Sequence, residues 1–78
     1  MARAGSPAAR QVLAKNVRRL RSERKLTQEA LANAANLRQG FISDVESAKL
    51  DVRIDTLDRL AKALGVCVSD LFEEGRRG

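Results

Sequence analysis

The sequence predicts an all-α domain of five short helices, and three observations support this fold class. Leucine, valine and alanine recur every three or four residues in successive segments, a spacing that places apolar side chains on one face of a helix. Residues that favour helix ends separate these segments. The best strand candidate, residues 66–68, is too short to pair in a sheet.

The first predicted helix begins at Ser6 and Pro7 and ends near Lys25. Serine favours the N-cap position, and proline is tolerated at the first position of a helix. The apolar stripe of this helix consists of Leu13, Val17 and Leu20. We expect an N-terminal arm over residues 1–8, a single helical domain over residues 9–74 and a disordered tail over residues 75–78.

The next two predicted helices, residues 28–35 and about 39–46, are joined by a tight turn. Thr27 is a favourable N-cap, and Asn36 tolerates the left-handed conformation that such a turn requires. Ala32 is small where the helices must cross closely. The side chains expected between the two helices are Leu31, Ala35, Leu37, Ile42 and Val45. This layout is that of a helix-turn-helix, although an αα-hairpin in a structural bundle shares several of its features.

The fourth predicted helix follows a polar connection and carries Leu57, Leu60, Ala61 and Leu64 on its apolar stripe. Asp55 and Asp58 resemble a capping box at its start, and Gly65 is expected to end it. Ser69 is expected to cap a short last helix.

The composition argues against several classes of function. The chain has no histidine and one cysteine, Cys67, so we expect no metal, cofactor or catalytic activity. We interpret Cys67 as a small apolar filler, with an intersubunit disulfide or a redox role as the alternatives. Two phenylalanines are the only aromatic residues, which disfavours binding of single-stranded nucleic acid. Because no transmembrane segment or signal peptide is recognisable, we expect a cytoplasmic protein.

The whole chain has a net charge of +5, and its positive charge is concentrated in the first third. Residues 1–26 contain eight Lys or Arg and one acid, whereas residues 27–78 contain seven Lys or Arg and nine acids. Such an imbalance indicates a surface for a polyanion. A solvated basic helix without a partner is the alternative.

The third helix has an outward face of small and polar residues. With Ile42 directed inward and about 100° per residue, Gly40, Ser43, Asp44 and Ser47 point outward. A surface helix more often carries Glu and Lys there, because these residues favour the helix. Small side chains permit close approach to another surface, although an ordinary exposed face is the alternative. Glu46 points toward the core, where a carboxylate needs a partner.

Taken together, the motifs "LTQEALANAANLRQGFISDVES", "IDTLDRLAKALGV" and "DLF" resemble the lambda-repressor-like (XRE) DNA-binding family. The resemblance covers residues 17–72. Within this family, the "NLRQGFIS" segment is similar to controller proteins of restriction–modification systems, and small phage and plasmid repressors are also similar. The resemblance implies a homodimeric transcription factor that places its third helix in the major groove of double-stranded DNA.

The resemblance also implies the residues that face DNA. By position, these are Gln28, Arg38, Gln39, Gly40, Ser43 and Asp44. Gln39 is the best candidate base reader, because glutamine pairs with adenine through two hydrogen bonds. Arg38 stands where the family usually has a Ser or Thr cap, and Asp44 repels phosphates unless it accepts from cytosine or pairs with a basic neighbour. Lys49 and Arg53 are candidates for phosphate or minor-groove contacts. The DNA backbone is also within expected reach of Arg18, Arg21 and the basic arm around Arg3 and Arg10.

Two further expectations follow from the same resemblance. Arg21 should pair with Glu46 and tie the first helix to the third, with a solvated Glu46 as the alternative. The expected dimer interface consists of Leu64, Val66, Val68, Leu71 and Phe72, unless these residues close the core. No small-molecule effector is expected, because no ligand-binding domain is recognisable.

The leading hypothesis is therefore a sequence-specific DNA-binding regulator. The rival is an antitoxin-like module that uses the same fold to bind another protein, because fold alone does not determine function. Gly40 and Asp44 are the residues that favour the rival.

Overall fold

The computed structural model describes residues 8–74, which form four α-helices and a short C-terminal 3-10 helix. The α-helices are α1 (Ala8–Glu23), α2 (Gln28–Ala35), α3 (Gln39–Glu46) and α4 (Ile54–Leu64), and the 3-10 helix spans Val68–Phe72. No strand occurs in this range, so the predicted all-α class is confirmed. The predicted start at Ser6 and Pro7, most of the arm and the predicted tail lie outside the described residues.

The predicted fifth helix is a 3-10 helix rather than an α-helix. The amide of Asp70 donates to the carbonyl of Cys67 at 2.9 Å, which is the three-residue spacing of this tighter helix. The prediction that Ser69 caps this helix is wrong. The N-cap is Cys67, whose amide donates to Asp70 Oδ2 at 2.9 Å. Cys67 is therefore an exposed capping residue, and the prediction that it fills the core is wrong.

The bounds of α2 and α3 are those that the sequence predicts. Thr27 caps α2, because its hydroxyl accepts from the Ala30 amide at 2.9 Å. The start of α4 differs from its prediction. The Leu57 amide donates to the Arg53 carbonyl at 2.9 Å, so the helix begins at Ile54 and Asp55 lies in its first turn. Asp55 therefore does not occupy the N-cap, although a carboxylate in the first turn still interacts favourably with the helix dipole.

Each of the four α-helices is followed, within two residues of its end, by a residue in the left-handed conformation. These residues are Lys25, Asn36, Ala48 and Gly65, with φ between 57° and 73°. After each one, the next amide donates to a carbonyl five residues earlier, as in the bond from Leu37 to Ala32 at 2.8 Å. The predictions for Asn36 and Gly65 are confirmed, and α1 ends two residues before Lys25.

The core lies where α2 packs against α3 and α4, while α1 covers α3 and the 3-10 helix. Its largest fully buried side chains are Leu31, Ile42, Leu60, Leu64, Leu71, Val17 and Val45. Leu64 and Leu71 are thus core residues, and the prediction that they form the dimer interface is wrong. The reason is that the 3-10 helix folds back on α1 and α4 and carries Leu71 inward.

Asn16 ties the 3-10 helix and Glu73 to α1 from a buried position. Its side-chain amide donates to the carbonyls of Leu71 and Glu73, both at 2.9 Å. These two hydrogen bonds satisfy backbone carbonyls at the C-terminal end of the 3-10 helix. In residues 8–74, no helix is long and apolar enough to cross a membrane.

Candidate nucleic-acid interface

The outward face of α3 is small, polar and accessible. Arg38, Gln39 and Gly40 are exposed, whereas Ser43 and Asp44 are half-buried. Arg38 occupies the N-cap without a side-chain hydrogen bond to the helix, as its residue type suggests. The first amides of α3 therefore have no side-chain cap, and such amides favour an anion such as phosphate.

Behind this face, Glu46 is 5% exposed and pairs with Arg21 from α1. Arg21 Nε donates to Glu46 Oε2 at 2.6 Å, and Arg21 Nη2 donates to Glu46 Oε1 at 3.0 Å. The hydrogen bond to Glu46 raises the pKa of Arg21, so the guanidinium stays charged. Arg21 also donates to the Leu26 carbonyl at 2.8 Å. The planar, two-bond contact fixes the direction of both side chains.

Gln28 and Gln39 extend this contact to the surface. Gln28 Nε2 donates to Glu46 Oε1 at 3.0 Å, and Gln39 Nε2 donates to Gln28 Oε1 at 3.3 Å. Gln39 keeps one N–H and its carbonyl oxygen for another partner. The edge of adenine offers the matching groups, an acceptor at N7 for the N–H and a donor at N6 for the oxygen. A buried ion pair thus orients an exposed amide at the start of α3.

Two arginines hold the ends of the helix-turn-helix. Arg18 Nη1 donates to the Glu46 carbonyl at 3.3 Å, at the carboxyl end of α3. Arg59 of α4 donates to the carbonyls of Ala35 and Asn36 at 3.2 and 2.7 Å, at the carboxyl end of α2. Cations stabilise this end of a helix. Sequence reasoning missed Arg59, and no local signal identifies it, because its partners lie more than twenty residues away.

Three cations remain free around α3. Arg38, Lys49 and Arg53 are exposed and form no ion pair with any residue between 8 and 74. Arg10 is also exposed, and Arg3 lies outside the described residues. Asp44 likewise has no ion-pair partner in that part of the chain, so the pairing with a basic neighbour that the sequence left open does not occur there.

The apolar residues that remain accessible differ from the predicted set. Val66, Val68 and Phe72 are half-buried against the core. Ile54 at the start of α4 is 75% exposed and is the one large hydrophobic residue so exposed in the described range. Ile54 is the last residue of the polar connection, residues 47–54, that precedes the fourth predicted helix, and the predicted dimer interface does not include it. It is the first residue of α4 and lies one turn before Leu57, where the predicted apolar stripe begins.

This arrangement, with a buttressed α3 after a tight turn, agrees with the comparison to known families. A helix-turn-helix family model matches residues 17–71, which is most of the chain. The chain belongs to this helix-turn-helix family of transcriptional regulators. The matched range begins in α1 and ends in the 3-10 helix, so it contains every residue of the Arg21–Glu46–Gln28–Gln39 network.

Three relatives illustrate the range of the helix-turn-helix family. The chain is 40% identical over 63 residues to the control protein C.SmaI of Serratia marcescens, covering 81% of this chain and 75% of that protein. It is 40% identical over 58 residues to the immunity repressor protein of Bacillus phage phi105, covering 74% of this chain but only 40% of the repressor. The crystal structure of the restriction–modification controller protein C.AhdI from Aeromonas hydrophila superposes with a TM-score of 0.80 at 29% identity, covering 83% of this chain and 98% of that one. All three have regulatory rather than enzymatic names.

Proposed function

We propose that this protein binds double-stranded DNA in a sequence-specific manner and regulates transcription as a homodimer on a two-fold operator. The observation that carries the proposal is the hydrogen-bonded chain from Arg21 through Glu46 and Gln28 to Gln39. It orients an exposed amide at the start of α3, and a reader needs such support from behind to discriminate between bases. In this proposal α3 enters the major groove, and Arg38, Lys49 and Arg53 contact phosphates.

The reading of bases is tested with Gln39→Ala. Sites are first selected from random double-stranded DNA with the unaltered protein, and binding is then measured to each single-base variant of the selected site. Gln39→Ala should abolish a preference worth about 1–3 kcal/mol at one position in each half-site. Gln11→Ala, which removes an exposed glutamine of α1, is the matched control and should change no preference. Equal weakening on every sequence would contradict the role of Gln39.

The contacts to phosphates are tested by the dependence of affinity on salt. Binding should weaken steeply as salt increases, because cationic side chains displace counterions from DNA. Lys49→Ala should weaken binding to all sequences alike and reduce the logarithmic salt slope by about 1. If the protein binds neither random nor selected DNA at low salt, the proposal fails and the antitoxin-like protein-binding module becomes the better hypothesis.

Among regulators, the controller of a restriction–modification system is the role that the similarities support best. The chain is 40% identical to the control protein C.SmaI, and the structure of C.AhdI, named as a restriction–modification controller, superposes with a TM-score of 0.80. This role predicts an inverted repeat upstream of the gene, with methyltransferase and endonuclease genes beside it. A gene without such neighbours would instead support a small repressor of the phage or plasmid type.

We infer that the homodimer forms through the apolar residues that the monomer leaves accessible. Ile54 is exposed, and Val66, Val68 and Phe72 are only half-buried, whereas Leu64 and Leu71 already belong to the core. Burial of these accessible side chains against a second copy would be favourable. A two-fold dimer would present two copies of α3 to successive turns of DNA.

A further inference from the structure

Gly40 lies within α3, yet nothing in the described part of the chain requires a glycine there. It is not among the residues with positive φ, and a Cβ atom added to it would meet nothing within 4 Å. Glycine weakens a helix relative to alanine, because it loses more conformational freedom on folding. Glycine at this position therefore lowers the stability of the fold relative to alanine, and no contact within the described residues explains why it is there.

Asp44 lies one turn after Gly40 on the same side of α3, because residues four apart are neighbours on a helix. Its carboxylate is half-buried and has no ion-pair partner among residues 8–74. An ionised carboxylate only accepts hydrogen bonds, so it repels phosphate and needs a donor. In the major groove, the donors are the exocyclic amino groups of cytosine and adenine.

The edges of the two bases distinguish between them. Adenine presents an acceptor, N7, beside its amino group, and this acceptor would repel a carboxylate. Cytosine presents its N4 amino group without an acceptor on the same base. A carboxylate that approaches closely therefore favours cytosine.

We propose that Gly40 and Asp44 form a reading strip for cytosine, in which Gly40 lets α3 approach the base edges and Asp44 accepts a hydrogen bond from cytosine N4. This inference rests on the proposed DNA-binding function. The strip reads a base different from the one assigned to Gln39, which lies at the start of the helix. Asp44 also lowers affinity for all other sequences by repelling phosphates, so its contribution is to specificity rather than to overall affinity.

Selection of sites from random double-stranded DNA tests the role of Asp44. The unaltered protein should select a cytosine at one position of each half-site. Asp44→Ala should lose that preference and keep the others, and Asp44→Asn should shift it toward adenine, because an amide both accepts and donates. Asp44→Ala should also raise affinity for unselected DNA, because one repulsive charge is removed.

Asp51→Ala is the charge-matched control, because Asp51 is an exposed acid outside α3. It should alter affinity for all sequences alike and leave base preferences unchanged. If Asp44→Ala behaves like this control, the inference is wrong, and loss of an adenine preference would overturn the assignment to cytosine. Failure of the unaltered protein to select any site would instead overturn the proposed function.

Gly40→Ala tests the close approach, because its effects on folding and binding should have opposite signs. The melting temperature should rise by about 2–8 °C, as expected for removing a glycine from a helix of a domain of this size. Affinity for the selected site should fall at least about tenfold, because the methyl group meets the DNA rather than the protein. A stabilised variant with unchanged affinity would show that Gly40 does not provide the clearance.

Discussion

At the scale of single residues, Glu46 connects the stability of the fold with Gln39, the proposed base reader. One oxygen of its carboxylate accepts from Arg21, and the other accepts from both Arg21 and Gln28. Because the side chain is buried, loss of its charge would leave the Arg21 guanidinium without its partner. The same loss would release Gln28 and, through it, Gln39.

Glu46→Gln should therefore destabilise the fold by about 2–3 kcal/mol, since a charge-assisted contact to a mostly buried group is lost while the shape is kept. Urea unfolding followed by circular dichroism measures this change. Glu23→Gln is the matched control, because it breaks the exposed pairs with Arg19 at 3.2 Å and Arg24 at 3.6 Å and should cost less than about 1 kcal/mol. Equal effects of the two variants would show that the buried pair has no special role.

At the scale of the helices, the left-handed residues at the helix ends determine how the elements connect. Asn36 makes the turn between α2 and α3, and Arg59 holds the carbonyls on either side of it. Ala48 makes the equivalent turn after α3, although an alanine gains nothing there to offset its Cβ strain. The turn after α3 therefore carries a steric cost that a glycine would avoid.

Ala48→Gly should stabilise the protein by about 0.5–1 kcal/mol, because glycine adopts φ near 59° without a steric penalty. Ala34→Gly, at an exposed position inside α2, is the control and should destabilise by about 1 kcal/mol. Thermal unfolding of both variants checks the opposite signs. A destabilising effect at both positions would mean that the entropy lost by glycine outweighs the relief of strain at Ala48.

At the scale of the whole molecule, the core buries some of the apolar residues that the sequence assigned to the dimer interface. The 3-10 helix is drawn inward by Leu71 and by the hydrogen bonds of Asn16. Fewer apolar side chains are left for a second subunit than the sequence suggests. Ile54, which the predicted interface did not include, lies at the first position of α4 and is exposed to solvent.

Ile54→Lys should weaken dimerisation at least about tenfold without unfolding the monomer, because a charged side chain replaces an apolar contact at an exposed position. Sedimentation across a range of protein concentrations measures the dimerisation constant, and circular dichroism checks the fold. Ala34→Lys, an equal change of charge on α2, should leave dimerisation unchanged. A dimer of unaltered strength in Ile54→Lys would place the interface elsewhere.

Local chemistry was sufficient to predict much of this molecule. The bounds of α2 and α3, the Thr27 cap and the turns at Asn36 and Gly65 all follow from side chains that act on their own neighbouring backbone. The inward direction of Glu46 follows from helical periodicity alone. The residues of the DNA-facing set followed from resemblance and remain predictions.

Packing between distant segments decided the remainder. Leu71 is buried because the 3-10 helix returns to α1 and α4, which no local pattern specifies. The partners of Asn16 and Arg59 lie more than twenty residues away, so their roles depend on the same folding back of the chain. Short-range hydrogen bonds are encoded by neighbouring residues, whereas burial depends on which helices come to lie against each other.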